Sequence, residues 1–258
     1  MVHHATNRTG GPWPNVTLNG SGISCVVALP DARRGFYRNT RFDWGSMVGT
    51  ITLPLPDRSG NVTLSGDARS PAGFVAEFGC GGSGALCPTP PASPGRSYSA
   101  SVTNGVLGFG DAGKGGEFLK VGVGRLRRPK AGRGGSHYET TWPYELAEAP
   151  QWDVIRDSRT PEGVTLQQSV RFKRWGWQLR RRVYTCDWPR KQAGLCIDIQ
   201  LTNRGEQSLR TPYCSHNLFN LAAVSAAVGV QRPRSAITAL LPVVSAVQQG
   251  RAAGHLVA

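Results

Sequence analysis

One histidine of this sequence is a candidate for acid–base chemistry. His216 lies in the run YCSHNLFN (residues 213–220), at the end of a strand signal that begins near Leu209. Imidazole gains and loses a proton near neutral pH, so a histidine beside a cleft can act as a general acid or base. A lone histidine is more commonly a hydrogen-bonded structural group, but the apolar and aromatic neighbours of His216 favour a position beside a cleft. The adjacent Asn217 is a candidate for hydrogen bonding to the same ligand.

Two shorter motifs offer charged groups to a ligand. Arg41 and Asp43 are two residues apart in NTRFDW, and on extended chain both side chains point to one face. A guanidinium and a carboxylate can hold sugar hydroxyls as donor and acceptor, whereas a surface ion pair is the simpler interpretation. Glu77, in GFVAEFG, is an acid among apolar residues and either lines a site or is a hydrogen-bonded loop residue.

The glycine-rich run at residues 108–114 matches two phosphate-binding patterns in part. GFGDAGK fits G-x-G-x-x-G, and it fits a P-loop as far as Lys114, but Gly115 replaces the Ser or Thr that would hold magnesium. Both patterns need a helix to follow, and a glycine pair and a β-rich run follow here. We therefore predict a loop between strands and no nucleotide site.

The elements that would position these residues are strands. Apolar and polar residues alternate through residues 164–172, 175–183 and 195–201, with Gln168 and Arg181 as exceptions on the apolar faces. Three alternating strands in a row predict an antiparallel meander with one buried face.

Earlier strand signals cover residues 25–29, 45–55 and 118–126. The last of these contains Gly122 and Gly124, which indicate a bulge or a close approach of another backbone.

We divide the chain into a polar leader (residues 1–22), one β domain (residues 23–221) and a tail (residues 222–258). Residues 81–104 are dominated by Gly, Pro and Ser, which predicts a surface insertion in the domain. The tail is rich in Ala and Val and lacks alternation. Its one helix-compatible patch is residues 235–249, so we expect an irregular or helical tail outside the β architecture.

The chain is strongly basic, with 30 Lys and Arg against 16 Asp and Glu and a net charge of +14. Such a balance raises nucleic-acid binding as one possibility. The charge is spread along the chain, however, and is densest at residues 125–133 and 173–182, without a recognition-helix pattern or an RNA-binding signature. A basic surface is the preferred interpretation, and nucleic acid is not an expected partner.

The six cysteines form no CxxC pair, and buried free thiols in a reducing compartment are the simpler interpretation. A cytoplasmic location is the expectation, because neither a signal peptide nor a membrane span is recognisable. Cys186 and Cys196 flank a predicted hairpin. A disulfide between them is the alternative for an exported chain, and the sequence leaves this alternative open. The N-x-S/T sequons, which matter only on an exported chain, begin at Asn7, Asn15, Asn19 and Asn61. The N-terminus lacks the apolar core of a signal peptide, and no stretch is long and apolar enough to span a membrane.

Taken in order, several blocks resemble the aldose 1-epimerase (galactose mutarotase)-like superfamily. These blocks are YRNTRFDWGSMVGTITL, GFVAEFG, GGEFLKVGVGRLRRP, LCIDIQLTNRGEQSLRT and PYCSHNLFNL, and they cover roughly residues 24–220. The resemblance implies an all-β fold, an antiparallel β-supersandwich with a sugar cleft on one concave face. It implies interconversion of the anomers of an aldose, without a cofactor or a metal.

The same resemblance assigns roles to residues. His216 falls where the family has its acid histidine, and Arg41 is a weaker match to a substrate-side arginine. Asp43, Glu77 and Asn217 are the further candidates for binding the sugar. The family's general base is a glutamate in later strands, but the sequence departs from the family pattern after Leu221 and contains no Asp or Glu beyond it. We therefore expect a fold incomplete at its C-terminus, with the last strands truncated or replaced. The chain is then either an aldose 1-epimerase-like isomerase given in incomplete form or a non-catalytic sugar-binding relative.

Overall fold

The computed structural model describes most of the predicted domain and two short pieces of the tail. The described residues are 13–20, 22–54, 60–65, 73–79, 106–156, 163–188, 192–211, 213–218, 246–247 and 254–257. The leader up to residue 12, all of the predicted 81–104 insertion and most of the tail lie outside them.

The described residues form strands, one short 3-10 helix and connecting turns, as expected for an all-β protein. In chain order the strands are β1 Asn15–Gly20, β2 Ile23–Ala28, β3 Val48–Pro54, β4 Asn61–Ser65, β5 Gly73–Phe78, β6 Glu117–Lys120, β7 Gly124–Arg127, β8 Glu145–Leu146, β9 Asp153–Ile155, β10 Gly163–Phe172, β11 Trp175–Trp188, β12 Gln192–Asn203, β13 Tyr213–Leu218, β14 Ala246–Val247 and β15 Gly254–Val257. The 3-10 helix is Trp44–Ser46, between β2 and β3.

Two six-stranded antiparallel sheets make up the larger part of the described fold. The first has the order β1-β2-β3-β5-β13, with β4 also paired to β3, and the second has the order β14-β15-β12-β11-β10-β9. One apolar cluster contains buried residues of both, such as Val27 and Leu64 from the first and Leu166 and Ile199 from the second. This shared core makes the arrangement a β-sandwich. The small sheet β6-β7-β8 has its own aromatic core around Phe118 and Tyr144.

The predicted meander is confirmed as β10, β11 and β12, and both exceptions to its alternation are buried. Leu166 pairs with Arg181, which pairs with Ile199, so the arginine lies in an apolar row. Gln168 accepts a hydrogen bond from Trp177 Nε1 at 3.2 Å and donates one to the carbonyl of Val123 at 3.4 Å. Gln168 is thus buried with hydrogen-bond partners, as an interior position requires, and Arg181 Nη2 donates to the buried carboxylate of Asp43.

Two local predictions change in the structure. Residues 118–126 are not one strand but the hairpin β6–β7, because the chain turns at Gly122, where φ is +80°. The signal at 45–55 begins as the 3-10 helix and becomes a strand only at Val48. The glycine-rich run is confirmed as a loop, and the Arg128 guanidinium donates to its carbonyls at Phe109 and Ala112.

The tail contributes strands where it is described. β15 pairs with the outer edge of β12, and β14 pairs with β15. The expectation of an irregular or helical tail outside the β architecture is wrong at these residues. Strand pairing joins backbone groups and does not require alternating side chains, and β12 offers an open edge. The rest of the 235–249 patch lies outside the described residues.

The expectation of free thiols holds for the buried Cys25 and is wrong for Cys186 and Cys196. These two cysteines form a disulfide between β11 and β12, with their Cα atoms 6.0 Å apart. The alternative that the sequence left open, a bridge across this hairpin, is the one observed.

Candidate functional site

A buried carboxylate lies at the centre of the candidate site. Glu77, on β5, has a side chain only 1% exposed. Its Oε2 lies 3.4 Å from Arg41 Nε and 3.4 Å from His216 Nε2, and its Oε1 lies 3.4 Å from Lys120 Nζ. Three basic side chains from three separate segments therefore surround one acid.

The sheet register explains why Glu77 and His216 meet. In the β5–β13 pair, Val75 is opposite His216 and Glu77 is opposite Cys214. Since residues two apart on a strand share a face, Glu77 and His216 are diagonal neighbours on one face of the sheet.

Backbone contacts hold the segment that carries Arg41 against β5. The amide of Asp43 donates to the carbonyl of Ala76, and the amide of Ala76 donates to Ser46 Oγ. The Tyr37 hydroxyl accepts hydrogen bonds from the amides of Arg41 and Phe42. These bonds fix the position of the arginine relative to Glu77.

The charges of the cluster set its protonation states. Burial raises the pKa of Glu77, but the nearby His216 imidazole and the charges of Lys120 and Arg41 outweigh that effect, so the pKa of Glu77 is lower than usual. Burial lowers the pKa of Lys120 to about 8, against the opposing charge of Glu77. Lys120 Nζ also donates to the Tyr138 hydroxyl at 2.8 Å. At neutral pH, Glu77 is a carboxylate and Lys120 is mainly an ammonium.

Arg41 and His216 form the part of the cluster that reaches solvent. The Arg41 side chain is 34% exposed and the His216 side chain is 14% exposed. The Phe42 ring lies between them, with Arg41 Cζ 4.7 Å from its centroid and the His216 ring edge-on at 5.5 Å. His216 Nε2 makes no hydrogen bond of good geometry in the described part of the chain. The imidazole is thus partly exposed and lies 3.4 Å from the Glu77 carboxylate.

Asp43 does not share a face with Arg41, in contrast to the geometry expected for extended chain. Its carboxylate is 0% exposed and accepts from Arg181 Nη2 at 2.5 Å and from the amide of Gly45 at 2.8 Å. The chain enters the 3-10 helix at this point, with Asp43 as its N-cap, which turns the side chain inward. Asp43 therefore supports the loop from inside, and its role as a sugar contact stays an untested prediction.

Gly122 allows the β6–β7 turn to approach this buried pair. A Cβ at Gly122 would lie 2.5 Å from Asp43 Cγ, and the Gly122 carbonyl accepts from the amide of Trp44 at 3.1 Å. The sequence indicated a close backbone approach at this glycine, and the structure confirms it. The β6–β7 turn packs against the loop that carries Arg41.

The structure brings Arg41, Glu77 and His216 together and adds residues that the sequence reasoning did not select. Asn217 lies on β13 opposite Phe74, and its side chain lies outside the described residues. Lys120 and Tyr138 were missed because nothing in their local sequence indicates that they contact Glu77 or one another. Arg181 had a visible signal, since it breaks the apolar alternation of its strand.

The fold and the site define an all-β sandwich with a buried, ion-paired glutamate beneath a partly exposed histidine and arginine. Comparisons with protein-family models, with curated proteins and with solved structures find no match for the chain. Within the described ranges, no three His, Cys, Asp or Glu side chains are grouped closely enough to hold a metal ion. The same ranges contain no helix with the length and apolar character needed to cross a membrane.

Proposed function

We propose that this protein binds a sugar where Arg41 and His216 reach solvent, as a relative of the aldose 1-epimerases. The observation that carries the proposal is that Arg41 and His216, which are far apart in the sequence, both lie 3.4 Å from the buried carboxylate of Glu77. The order of motifs that resembles the mutarotase-like superfamily supports the same conclusion, as does the β-sandwich.

The exposed groups suit a polyhydroxylated ligand. A guanidinium donates hydrogen bonds in a fixed fork, and an imidazole nitrogen donates or accepts one according to its protonation. Arg41 uses Nε towards Glu77, which leaves the ends of its fork for ligand hydroxyls. Specific sugar recognition needs such fixed polar groups, because the ligand itself carries many donors and acceptors.

Anomer interconversion is the activity that His216 would perform. An acid protonates the ring oxygen while a base removes the proton of the anomeric hydroxyl, the ring opens, and it closes again after rotation at C1. Glu77 is well placed to orient the His216 imidazole, but its two oxygens are engaged by three basic side chains. A binding function without catalysis is therefore the alternative.

Binding is tested by calorimetric titration with D-galactose, D-glucose and other free aldoses. We expect Arg41→Ala to weaken the association about ten- to hundredfold, since a hydrogen bond to a charged group contributes about 1.5–3 kcal/mol. Arg38→Ala is the matched control, because Arg38 is an exposed arginine of the same loop that donates to the Arg33 carbonyl. Absence of binding to every aldose, or equal loss in both variants, would contradict the proposal.

Catalysis is tested separately by following the optical rotation of freshly dissolved α-anomers. If the site is active, His216→Ala abolishes the acceleration over buffer, while His137→Ala, which changes an exposed histidine beside Ser136, retains it. Sugar binding without acceleration would assign the protein to the non-catalytic alternative. Salt-sensitive retention on DNA combined with no sugar binding would instead support the nucleic-acid hypothesis that the charge raised.

A further inference from the structure

The asparagines of the N-x-S/T sequons differ sharply in their structural surroundings. Asn15, Asn19 and Asn61 fall within the described residues. A glycan attached to asparagine is bulky and solvated, so the folded protein can carry one only where the side chain faces solvent. The surroundings of the three asparagines therefore decide which of them the fold can accept in a glycosylated form.

Asn61 meets this requirement at the start of β4. Asn61 and Thr63 are exposed, whereas Val62 and Leu64 are buried in the sandwich core. The strand alternation thus turns the acceptor amide and the sequon hydroxyl to the same outer face. Thr63 Oγ1 lies 3.1 Å from Thr52 Oγ1 on this exposed face.

Asn19 and Asn15 lie on the same strand but in different environments. Asn19 is exposed near the end of β1. Asn15 is only 3% exposed, and its Nδ2, the atom that would carry the sugar, donates to the carbonyl of Trp13 at 3.0 Å. A glycan on Asn15 would be incompatible with this packing, and one on Asn19 would not.

The disulfide gives an independent indication of the compartment. Disulfides form and persist in oxidising environments such as the secretory pathway, and they are rare in the cytosol. The bond between Cys186 and Cys196 therefore favours a chain that folds where sequons are also glycosylated. It argues against the cytoplasmic location expected from the sequence.

We propose that the chain passes through an oxidising secretory compartment and is N-glycosylated at Asn61 and Asn19, but not at Asn15. The donor is an oligosaccharide linked to a lipid pyrophosphate. The asparagine amide nitrogen forms a bond to C1 of the oligosaccharide, the bond from C1 to the phosphate oxygen breaks, the lipid pyrophosphate leaves, and the amide loses one proton.

The position of both sites on sheet edges suggests what the glycans do. In the described part of the chain, β1 pairs with β2 alone and β4 pairs with β3 alone. Unpaired edges are templates for association with another chain, and natural proteins protect them. Glycans at Asn19 and Asn61 would stand beside these two edges and hinder strand addition from a second molecule.

The test is mass spectrometry of the protein purified from the cells that make it. Peptide N-glycosidase in ¹⁸O-water converts each glycosylated asparagine to a labelled aspartate. Trypsin then isolates Asn61 in the peptide 59–69, and fragmentation distinguishes Asn15 from Asn19 in the peptide 9–33. We expect label at Asn19 and Asn61, none at Asn15, and a disulfide-linked Cys186–Cys196 peptide before reduction. Unlabelled Asn19 and Asn61, or a labelled Asn15, would overturn the proposal.

A matched pair of variants separates the sequon from its structural setting. In cells that glycosylate this chain, Thr63→Ala removes the hydroxyl of the sequon and should remove one glycan from the intact mass. Thr52→Ala breaks the same threonine–threonine contact without touching a sequon, and should leave the mass of the attached glycans unchanged. Loss of a glycan in neither variant or in both would contradict glycosylation at Asn61.

Discussion

The buried ion pair between Asp43 and Arg181 leads to a sharp prediction for stability. The pair joins the 3-10 helix to β11, and both side chains are 0% exposed. Asp43→Asn keeps the size of the side chain but removes the charge that compensates the arginine. No second carboxylate pairs with Arg181 among the described residues. The variant therefore leaves a buried guanidinium without its counter-charge.

The expected cost follows from this burial. Removing one partner of a buried ion pair destabilises a protein by about 3–5 kcal/mol, whereas replacing both partners by apolar groups is often neutral. Because domains have a total stability of about 5–15 kcal/mol, the single substitution should remove a large part of it. Adding Arg181→Met to Asp43→Asn should recover at least about 2 kcal/mol, because the unpaired charge is gone.

Urea unfolding measures each free energy of unfolding by linear extrapolation. The matched control is Asp31→Asn, since Asp31 forms a surface pair with Arg34 at 3.8 Å and should change stability by less than about 1 kcal/mol. Equal losses for Asp43→Asn and Asp31→Asn would refute the reasoning. So would a double variant that is no more stable than Asp43→Asn alone.

Three further predictions concern the turn, the buried lysine and the disulfide. In urea unfolding, Gly122→Ala should lower the free energy of unfolding more than the control Gly132→Ala. Both glycines have positive φ, but only a Cβ at residue 122 would lie within 4 Å of another residue. The control should lower the free energy of unfolding by about 1–2 kcal/mol, the cost of the backbone conformation alone. Because the folded pKa of Lys120 is about 8 and its ordinary value is 10.5, the folded state binds fewer protons than the unfolded state above pH 8. The free energy of unfolding should therefore rise by about 1 kcal/mol between pH 8 and 9, and Lys120→Met should lose that rise. Reduction of the bond between Cys186 and Cys196 should lower the free energy of unfolding by about 2–3 kcal/mol, measured by urea unfolding with and without dithiothreitol. In the control variant, with both cysteines replaced by serine, dithiothreitol should not change the free energy of unfolding.

The meander shows which features the sequence determined. Alternation fixes which side chains of β10, β11 and β12 face inward, since successive residues of a strand point to opposite faces. Even its exceptions were informative, because Gln168 and Arg181 are buried polar groups. The chain turn at Gly122 was less predictable, since a glycine in a strand pattern fits a bulge and a hairpin equally well.

The site depended more on tertiary structure. The residue types of Arg41, Glu77 and His216 marked them as candidates, and the resemblance to a known family grouped them, but their mutual distances follow from the β5–β13 register and from the loop bonded to β5. Asp43 illustrates the limit, because a local helical turn directs it away from Arg41. A sequence specifies the periodicity within each strand, whereas contacts between segments more than a hundred residues apart arise only when the sheets pack. For this reason Lys120 became visible as part of the cluster only in the folded protein.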